Sequence, residues 1–99
     1  MAAYIHANVD VTDPVAYEDY RRQVPAVIAA YGGRYLVRGG AVQVLEGAAA
    51  PARQVILEFP DMARLQAFYN SPEYRALIPI RQRASTGALV AIEGVANLV

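Results

Sequence analysis

The sequence contains no cysteine, no tryptophan and a single histidine in 99 residues. Without cysteine the chain has no disulfides, no thiolate zinc site and no cysteine nucleophile. One histidine also excludes a metal site built from several histidines of one chain. We therefore expect no metal, and because no cofactor motif is recognisable we expect no cofactor either.

An excess of charge of one sign is also lacking, because nine basic side chains balance nine acidic ones. A nucleic acid or an anionic membrane would require a basic patch, so neither is an expected partner. No apolar run approaches the roughly 18 residues of a membrane span. The N-terminus, Met1–His6, lacks the pattern of a secretory signal, and we expect a cytoplasmic protein.

Apolar side chains are abundant, at 56% of the sequence against 18% charged residues. A chain of this length forms one domain, residues 1–99, and such small domains bury only about 60 to 70% of their unfolded surface. The apolar content exceeds what a small monomer hides easily. This surplus predicts a surface that binds a partner.

The first half of the chain reads as a strand followed by a helix. Residues Ala3–Val11 alternate between apolar and polar side chains, with Tyr4, His6 and Asn8 on the polar face. The pair Asp13-Pro14 is a helix start signal, and Gly32-Gly33 a stop signal. Between them an apolar stripe recurs at helical spacing, and Pro25 is expected to kink the helix. The stripe consists of Tyr17, Tyr20, Val24, Val27, Ile28 and Tyr31.

The second half predicts further strands and helices. Arg34–Arg38 and Ala41–Glu46 favour extended structure, as one bent strand or a tight hairpin, and Arg53–Phe59 alternates as a strand. Asp61 begins a helix over residues 62–69, and Ser71-Pro72 begins another that Pro79 should limit. The apolar run from Gly87 to Val95 suits a strand in the interior of a sheet.

This order of elements predicts an α+β fold of the ferredoxin-like βαββαβ type, with an antiparallel sheet and its helices on one face. The other face of the sheet would then be bare, although it carries apolar residues such as Ile56. A second copy of the chain is the simplest symmetric cover for such a face. We therefore expect a homodimer.

Several segments together resemble the family known as domain of unknown function 1330 (DUF1330). These are Tyr35 to Gly40, Leu45 to Gly47, Val55 to Pro60 and Phe68 to Tyr74, and the similarity spans nearly the whole chain. The resemblance implies the dimeric α/β-barrel superfamily, in which two ferredoxin-like sheets face each other and enclose a cavity. It implies no particular reaction, because the barrel relatives include both enzymes and proteins without catalytic activity.

Arg38 and Glu58 are the first candidates for chemistry. Arg38 beside Gly39-Gly40 would combine a guanidinium with exposed backbone N–H groups, which suits a carboxylate or an enolate. The alternative is a hairpin with an ion-paired arginine. Glu58 interrupts an apolar strand and could act as a base, or it could pair with an arginine. We expect Arg38 and Glu58 to form one polar cluster on the barrel side of the sheet.

His6 is the third catalytic candidate, because histidine changes its charge near neutral pH. Structural or solvated histidines are more common, so both interpretations stay open. Asn8 on the same strand face and Tyr35 in the arginine motif are predicted to bind a ligand. The resemblance adds Tyr74 and Arg81 as residues that border the cavity. The tyrosines of the first helix are interpreted as packing or interface residues.

Two functional hypotheses follow. In the first, the protein is a cofactor-independent enzyme that acts on a small anionic organic molecule, with Arg38 holding an oxyanion and Glu58 or His6 exchanging protons. In the second, it is a dimer that binds a small molecule or responds to stress without catalysis. An open cavity lined by these residues would favour the first hypothesis or ligand binding.

Overall fold

The structure is a computed structural model that describes residues 1–48 and 52–96. Its elements follow in the order β1 (Ala3–Val11), α1 (Pro14–Ala30), β2 (Arg34–Arg38), β3 (Arg53–Phe59), α2 (Met62–Tyr69), α3 (Pro72–Ala84) and β4 (Ser85–Glu93). The strands form one sheet in the order β2-β3-β1-β4, and all neighbours are antiparallel. The predicted ferredoxin-like α+β fold is confirmed.

The alternation in β1 separates two faces of the sheet. Its apolar side chains are buried under the helices, and they form the core together with Leu57 and Phe59 of β3. On the opposite face Tyr4 and His6 are half-buried and Asn8 is exposed. We call this opposite surface the uncovered face. By strand register it carries Tyr4, His6, Asn8, Gln54, Ile56, Glu58, Val90 and Ile92.

Each helix begins at the capping residue that the sequence predicts. The carboxylate of Asp13 accepts a hydrogen bond from the Ala16 N–H at 3.1 Å, and that of Asp61 accepts one from the Arg64 N–H at 2.7 Å. The hydroxyl of Ser71 accepts one from the Tyr74 N–H at 3.1 Å. These bonds satisfy N–H groups that have no partner within the first helical turn.

The expectation that Pro79 limits the last helical segment is wrong, because α3 continues through it to Ala84. A proline in a helix removes one hydrogen bond, here the one to the carbonyl of Arg75. Both residues are exposed, so water can satisfy that carbonyl. Pro25 lies inside helix α1, as predicted, and the helix extends to Ala30. None of the described helices has the combination of length and apolar composition that crossing a membrane requires.

Two strand predictions also need correction. Residues 41–46 form no strand in the described structure, because no neighbouring strand lies beside them to complete a ladder. The last strand begins at Ser85 and ends at Glu93, and it lies at the edge of the sheet instead of its interior. The apolar composition of β4 suggested burial on both faces, yet most of its residues are exposed in the single chain.

Candidate functional site

Strand register divides the predicted site residues between the two faces of the sheet. His6 lies opposite Ile56, Asn8 opposite Gln54, and Tyr4 opposite Glu58. Residues that face each other across a ladder point to the same side. Of the predicted site residues, His6, Asn8 and Glu58 therefore lie on the uncovered face. The other four, Tyr35, Arg38, Tyr74 and Arg81, line a cleft between the sheet and the helices.

The predicted cluster of Arg38 and Glu58 is wrong, because the two side chains lie on opposite faces. Simple alternation would place Arg34 and Arg38 on the same side as Glu58. However, the register shifts between Tyr35 and Val37, and this irregularity turns Arg38 to the helix side, opposite Val55. Glu58 instead pairs with Arg34, with 2.7 Å between its Oε1 and the arginine Nε.

The polar groups of the uncovered face form a short chain of hydrogen bonds. The His6 Nε2 lies 2.7 Å from the Gln54 Oε1, and the Gln54 Nε2 donates to the Asn8 Oδ1 at 2.7 Å. The same Nε2 also donates to the Ala52 carbonyl at 3.0 Å. Gln54 therefore holds His6 and Asn8 in a fixed arrangement across β1 and β3. This arrangement is outside the helix-side cleft.

The helix-side cleft is apolar with a polar rim. Its aromatic and charged lining residues are Tyr17, Tyr20, Tyr35, Tyr74, Phe68, Arg21, Arg38, Arg53 and Arg81, and its aliphatic ones are Ile5, Ala7, Val9, Val24, Ile28, Val55, Leu57 and Leu89. Among these described residues there is no carboxylate. The cleft therefore concentrates positive charge and phenolic hydroxyls beside apolar surface.

Tyr20 and Tyr74 are two of the buried tyrosines in this lining. The hydroxyls of Tyr20 and Tyr74 are 2.9 Å apart, so one donates to the other. Burial raises the pKa of Tyr20 far above its ordinary value, and the neighbouring Tyr74 raises it further. Burial also raises the pKa of Tyr74, although its hydrogen bond with Tyr20 and the charge of Arg81 oppose this. Both phenols are therefore neutral at physiological pH and can donate hydrogen bonds.

Three arginines contribute the positive charge. The buried Nε atoms of Arg53 and Arg81 have no hydrogen-bond partner among the described residues. Arg38 lies with its Cζ 4.5 Å above the centre of the Tyr35 ring, a cation–π contact. Burial raises the pKa of Tyr35, and the charges of Arg38 and Arg53 act against that rise. Arg21 differs from these three because it pairs with Glu18 at 2.8 Å on the surface.

The role predicted for Gly39-Gly40 is also corrected. The Gly39 N–H was expected to face an anion, but it donates to the Gln54 carbonyl at 2.8 Å. Gly39 has a positive φ of 67°, and a Cβ there would lie 2.7 Å from the Cζ of Arg53. Its lack of a side chain therefore lets the Arg53 guanidinium lie against the backbone.

Sequence reasoning missed Arg53 and Tyr20 as site residues. The signal for Arg53 was its position, because it alternates with Val55, Leu57 and Phe59 and so lies on the buried side of β3. An arginine at a core-facing position is costly unless a group of opposite charge approaches it. Tyr20 was interpreted as packing because of its helical spacing. Only the fold brings its hydroxyl to Tyr74, which is 54 residues away.

The cleft is narrow, with a cavity volume of about 40 Å³. A water molecule needs roughly 10–15 Å³ by this measure, so there is room for a few waters. Small-molecule sites enclose about 300–1,000 Å³. A larger ligand would therefore have to displace the rim side chains, of which Arg38 is exposed and Arg53 half-buried.

Residues 2–95 match the family model described as a domain of unknown function, DUF1330. The chain belongs to the DUF1330 family. No curated protein matches it. Three solved structures that resemble this DUF1330 chain are 13–21% identical to it, and they show the shared fold.

One such structure is the RPA0582 protein of unknown function from Rhodopseudomonas palustris, with 21% identity and a TM-score of 0.76 over 97% of this chain and 84% of that chain. Another is SnoaB, a cofactor-independent oxygenase from Streptomyces nogalater, with 13% identity and a TM-score of 0.58 over 98% and 95% of the two chains. A third, an antibiotic biosynthesis monooxygenase, has 16% identity and a TM-score of 0.52 over 97% and 100%.

Proposed function

We propose that this DUF1330 protein is a cofactor-independent enzyme that binds a small organic anion in the helix-side cleft and stabilises it as an enolate or phenolate. The observation that carries the proposal is the arginine set. Arg53 and Arg81 each have a buried Nε without a partner among the described residues, and no carboxylate lines the cleft. A buried N–H group without a hydrogen-bond partner is costly, so a bound oxyanion that accepts from these Nε–H groups would complete the site.

The remaining lining defines the rest of the proposed ligand. Aliphatic side chains such as Val24 and Leu57 favour an apolar or aromatic body. The neutral Tyr20–Tyr74 pair provides a buried hydroxyl donor, and Tyr35 lies beneath Arg38 at the rim. Donors that are already positioned stabilise negative charge where it develops during a reaction. In this proposal Arg38, Arg53 and Arg81 bind the oxygen atoms.

His6, Glu58 and Asn8 do not belong to this proposed site within one chain, because they lie on the uncovered face. We propose that they contact a second copy of the protein instead. The uncovered face carries Ile56, Val90 and Ile92, and the last two are 47% and 49% exposed. A homodimer that pairs two such faces would bury these apolar side chains and the hydrogen-bonded polar chain between them. A cytoplasmic location also stays a prediction.

The similarity to SnoaB supports the proposed reaction class. SnoaB is a cofactor-independent oxygenase. In our proposal the present chain activates its substrate by holding it as a stabilised anion. The arginines and tyrosines of this cleft suit such an anion. A carbon acid or a phenol with an adjacent carbonyl group is therefore the substrate class that we propose. In this proposal its proton passes to water at the rim, because the described residues that line the cleft include no carboxylate.

A second candidate function is ligand binding without turnover, and the lining of the cleft favours it, because its described residues include no carboxylate or histidine that could accept a proton from a substrate. A cavity of about 40 Å³ is closed to most metabolites until side chains move. A protein that only binds would need the same arginines, so binding and turnover must be measured separately.

Binding can be tested with a thermal-shift panel of aromatic carboxylates, phenols and 1,3-diketones, with the amide of each acid as its neutral control. A ligand of the native state at one hundred times its Kd adds about 2.7 kcal/mol of stability. We expect anions to raise the Tm while the amides do not. Arg53→Met should abolish the rise, and Arg83→Met should preserve it, because Arg83 is exposed and outside the cleft.

Equal shifts for acids and amides, or an undiminished shift in Arg53→Met, would contradict the anion site. For anions that bind, product formation in air is then followed by mass spectrometry. New product that disappears in Arg53→Met supports the enzyme. Binding with no product under any condition supports the second candidate.

A further inference from the structure

We propose that the helix-side cleft binds a substrate with two separated polar groups, a carboxylate and a carbonyl or phenol oxygen. Arg38 and Arg53, which we call the carboxylate pole, bind the first group. Arg81 with Tyr20 and Tyr74, which we call the oxyanion pole, binds the second. This inference rests on the proposed function and deepens it, because it names the two groups that the substrate carries and requires an apolar body between them.

The two poles lie toward opposite edges of the sheet. The guanidinium of Arg53 lies against Gly39, the residue that follows the edge strand β2. Arg81 belongs to α3 and also lines a second cavity of about 150 Å³, together with Ser85 and Gly87 of the opposite edge strand β4. The two edge strands are three strand spacings apart, or roughly 14 Å at about 4.8 Å per spacing. A ligand that reaches both poles therefore needs two groups with a spacer between them.

The pKa values of the tyrosines reflect the same division of the arginines. Burial raises the pKa of Tyr35, and the charges of Arg38 and Arg53 oppose that rise. Burial also raises the pKa of both phenols in the oxyanion pole, where the charge of Arg81 opposes the rise. The positive charge of the cleft is thus divided between two places, each next to its own tyrosines.

The hydrogen-bond donors of each pole suit a different oxygen. The carboxylate pole combines two guanidinium groups, and Tyr35 presents its ring to Arg38 at 4.5 Å. Guanidinium groups match the two oxygens of a carboxylate. The oxyanion pole combines the unpartnered buried Nε of Arg81 with two neutral phenols whose hydroxyls are 2.9 Å apart. One cation beside hydroxyl donors suits a single oxygen on which negative charge develops.

Each group of the substrate then has its own part in the reaction. The carboxylate is charged from the outset, so its pole anchors and orients the molecule. The other oxygen becomes negative when the substrate loses a proton to water. The electron pair of the broken O–H or C–H bond stays on this oxygen or is delocalised onto it. Arg81 stabilises the resulting charge.

Arg81 also separates the cleft from the second cavity. Arg81, Val9 and Leu89 line both spaces, so these side chains form the wall between them. The cleft alone, at about 40 Å³, holds only a few waters. A shift of the Arg81 side chain would join it to the neighbouring 150 Å³. The additional space would lie on the side of the oxyanion pole.

Positional isomers of one small molecule test the spacing without any change to the protein. The compound 4-hydroxybenzoate carries a carboxylate and a phenol on opposite sides of a ring, and 2-hydroxybenzoate carries the same groups on neighbouring carbons. Benzoate and phenol carry one group each. In isothermal titration calorimetry we expect 4-hydroxybenzoate to bind at least about tenfold more tightly than the other three, because a second charge-assisted hydrogen bond contributes that much.

Two variants test which pole binds which group. Arg53→Met should reduce the affinity for 4-hydroxybenzoate to that for phenol, whereas Arg81→Met should reduce it to that for benzoate. Arg83→Met is the matched control, because Arg83 lies on the same helix as Arg81 but is exposed and lines neither cavity. Its affinity for 4-hydroxybenzoate should equal that of the wild type.

A coloured ligand reports the charge at the oxyanion pole directly. The phenolate of 4-hydroxy-3-nitrobenzoate absorbs visible light, so its ionisation can be followed in the bound state by titration with pH. We expect binding to the wild type to lower the pKa of this phenol by about one unit, because Arg81 favours the charged form. Arg81→Met should still bind the ligand through its carboxylate but leave the pKa of the phenol unchanged.

Other outcomes would overturn the inference in distinguishable ways. Equal affinities for the two isomers, or for benzoate and 4-hydroxybenzoate, would refute the second pole and leave the anion site of the proposed function intact. An equally lowered phenol pKa in wild type and Arg81→Met would remove Arg81 from the oxyanion pole. Binding of none of the carboxylates would refute the proposed function together with the inference. Circular dichroism identifies any variant that fails to fold, and the comparison of isomers then decides, because it needs only the wild type.

Discussion

The buried pair of Tyr20 and Tyr74 makes the stability of the protein depend on pH in the alkaline range. Burial is the main reason that the pKa of each phenol is higher in the folded protein than in the unfolded chain. Below about pH 10, the ordinary pKa of tyrosine, both states keep their protons. Above it the unfolded chain releases protons that the folded protein retains. The free energy of unfolding should therefore fall as the pH rises.

The first prediction is that Tyr20→Phe weakens this dependence. Each tyrosine that stays protonated only when folded lowers the free energy of unfolding by about 1.4 kcal/mol per pH unit above pH 10. The free energy of unfolding is measured with urea between pH 8 and 11.5 and plotted against pH. In Tyr20→Phe the slope of this plot above pH 10 should be smaller by the contribution of about one proton. Phe68→Leu is the control, because it loosens the core without removing a titratable group. Equal slopes in wild type and Tyr20→Phe would contradict the prediction.

Sequence reasoning at the scale of single residues succeeded where the backbone was regular. Alternation places Arg53 on the core side of β3 and Glu58 on the opposite side, as the structure has them. The prediction failed at Arg38, because the register shift between Tyr35 and Val37 places that side chain on the helix side of the sheet. Such an irregularity depends on the neighbouring strand, so the sequence of β2 alone does not reveal it. The predicted partnership with Glu58 failed for that reason.

The helix starts were the most predictable feature among the elements. A cap followed by the first helical turn is a local signal, and Asp13, Asp61 and Ser71 all accept the expected N–H. In α1 the cap residue also donates its own N–H to the Ala84 carbonyl at 3.0 Å, which ties the start of α1 to the end of α3. By contrast, whether a strand lies at an edge or inside is decided by distant segments, and this is why β4 and residues 41–46 were misjudged.

The second prediction concerns the cap of α1. Asp13→Ala removes the acceptor for the Ala16 N–H, and we expect the free energy of unfolding to fall by about 0.5–2 kcal/mol. Asp13→Asn retains an oxygen acceptor and should cost much less. Urea denaturation of both variants at neutral pH measures the difference. If the alanine and asparagine variants had the same unfolding midpoint, the side chain of Asp13 would have no capping role.

At the scale of the whole molecule, the uncovered face determines whether the protein is stable as a monomer or needs a second copy to cover its sheet. The helix side buries a continuous core, whereas the opposite side leaves Val90 and Ile92 about half exposed around the His6–Gln54–Asn8 chain. A pair of facing sheets would remove this apolar surface from water. It would also surround the polar chain with a second copy of itself, so its hydrogen bonds would have to remain satisfied in the interface.

The final prediction is that the thermal unfolding midpoint rises with protein concentration, because folding is then coupled to dimerisation by mass action. Val90→Lys should abolish this dependence and give a monomer in sedimentation velocity at micromolar concentration, since each lysine would place an uncompensated charge between the two sheets. The side chain of Val90 is 47% exposed in the single chain, so the monomer can accommodate the lysine and remain folded, which circular dichroism can verify. Val15→Lys is the matched control, because Val15 is 85% exposed on α1, on the opposite side of the molecule. It should sediment as the wild type does. A wild-type protein whose midpoint is independent of concentration and which sediments as a monomer would show that the apolar surface of the sheet is stable in water, and the homodimer would have to be abandoned.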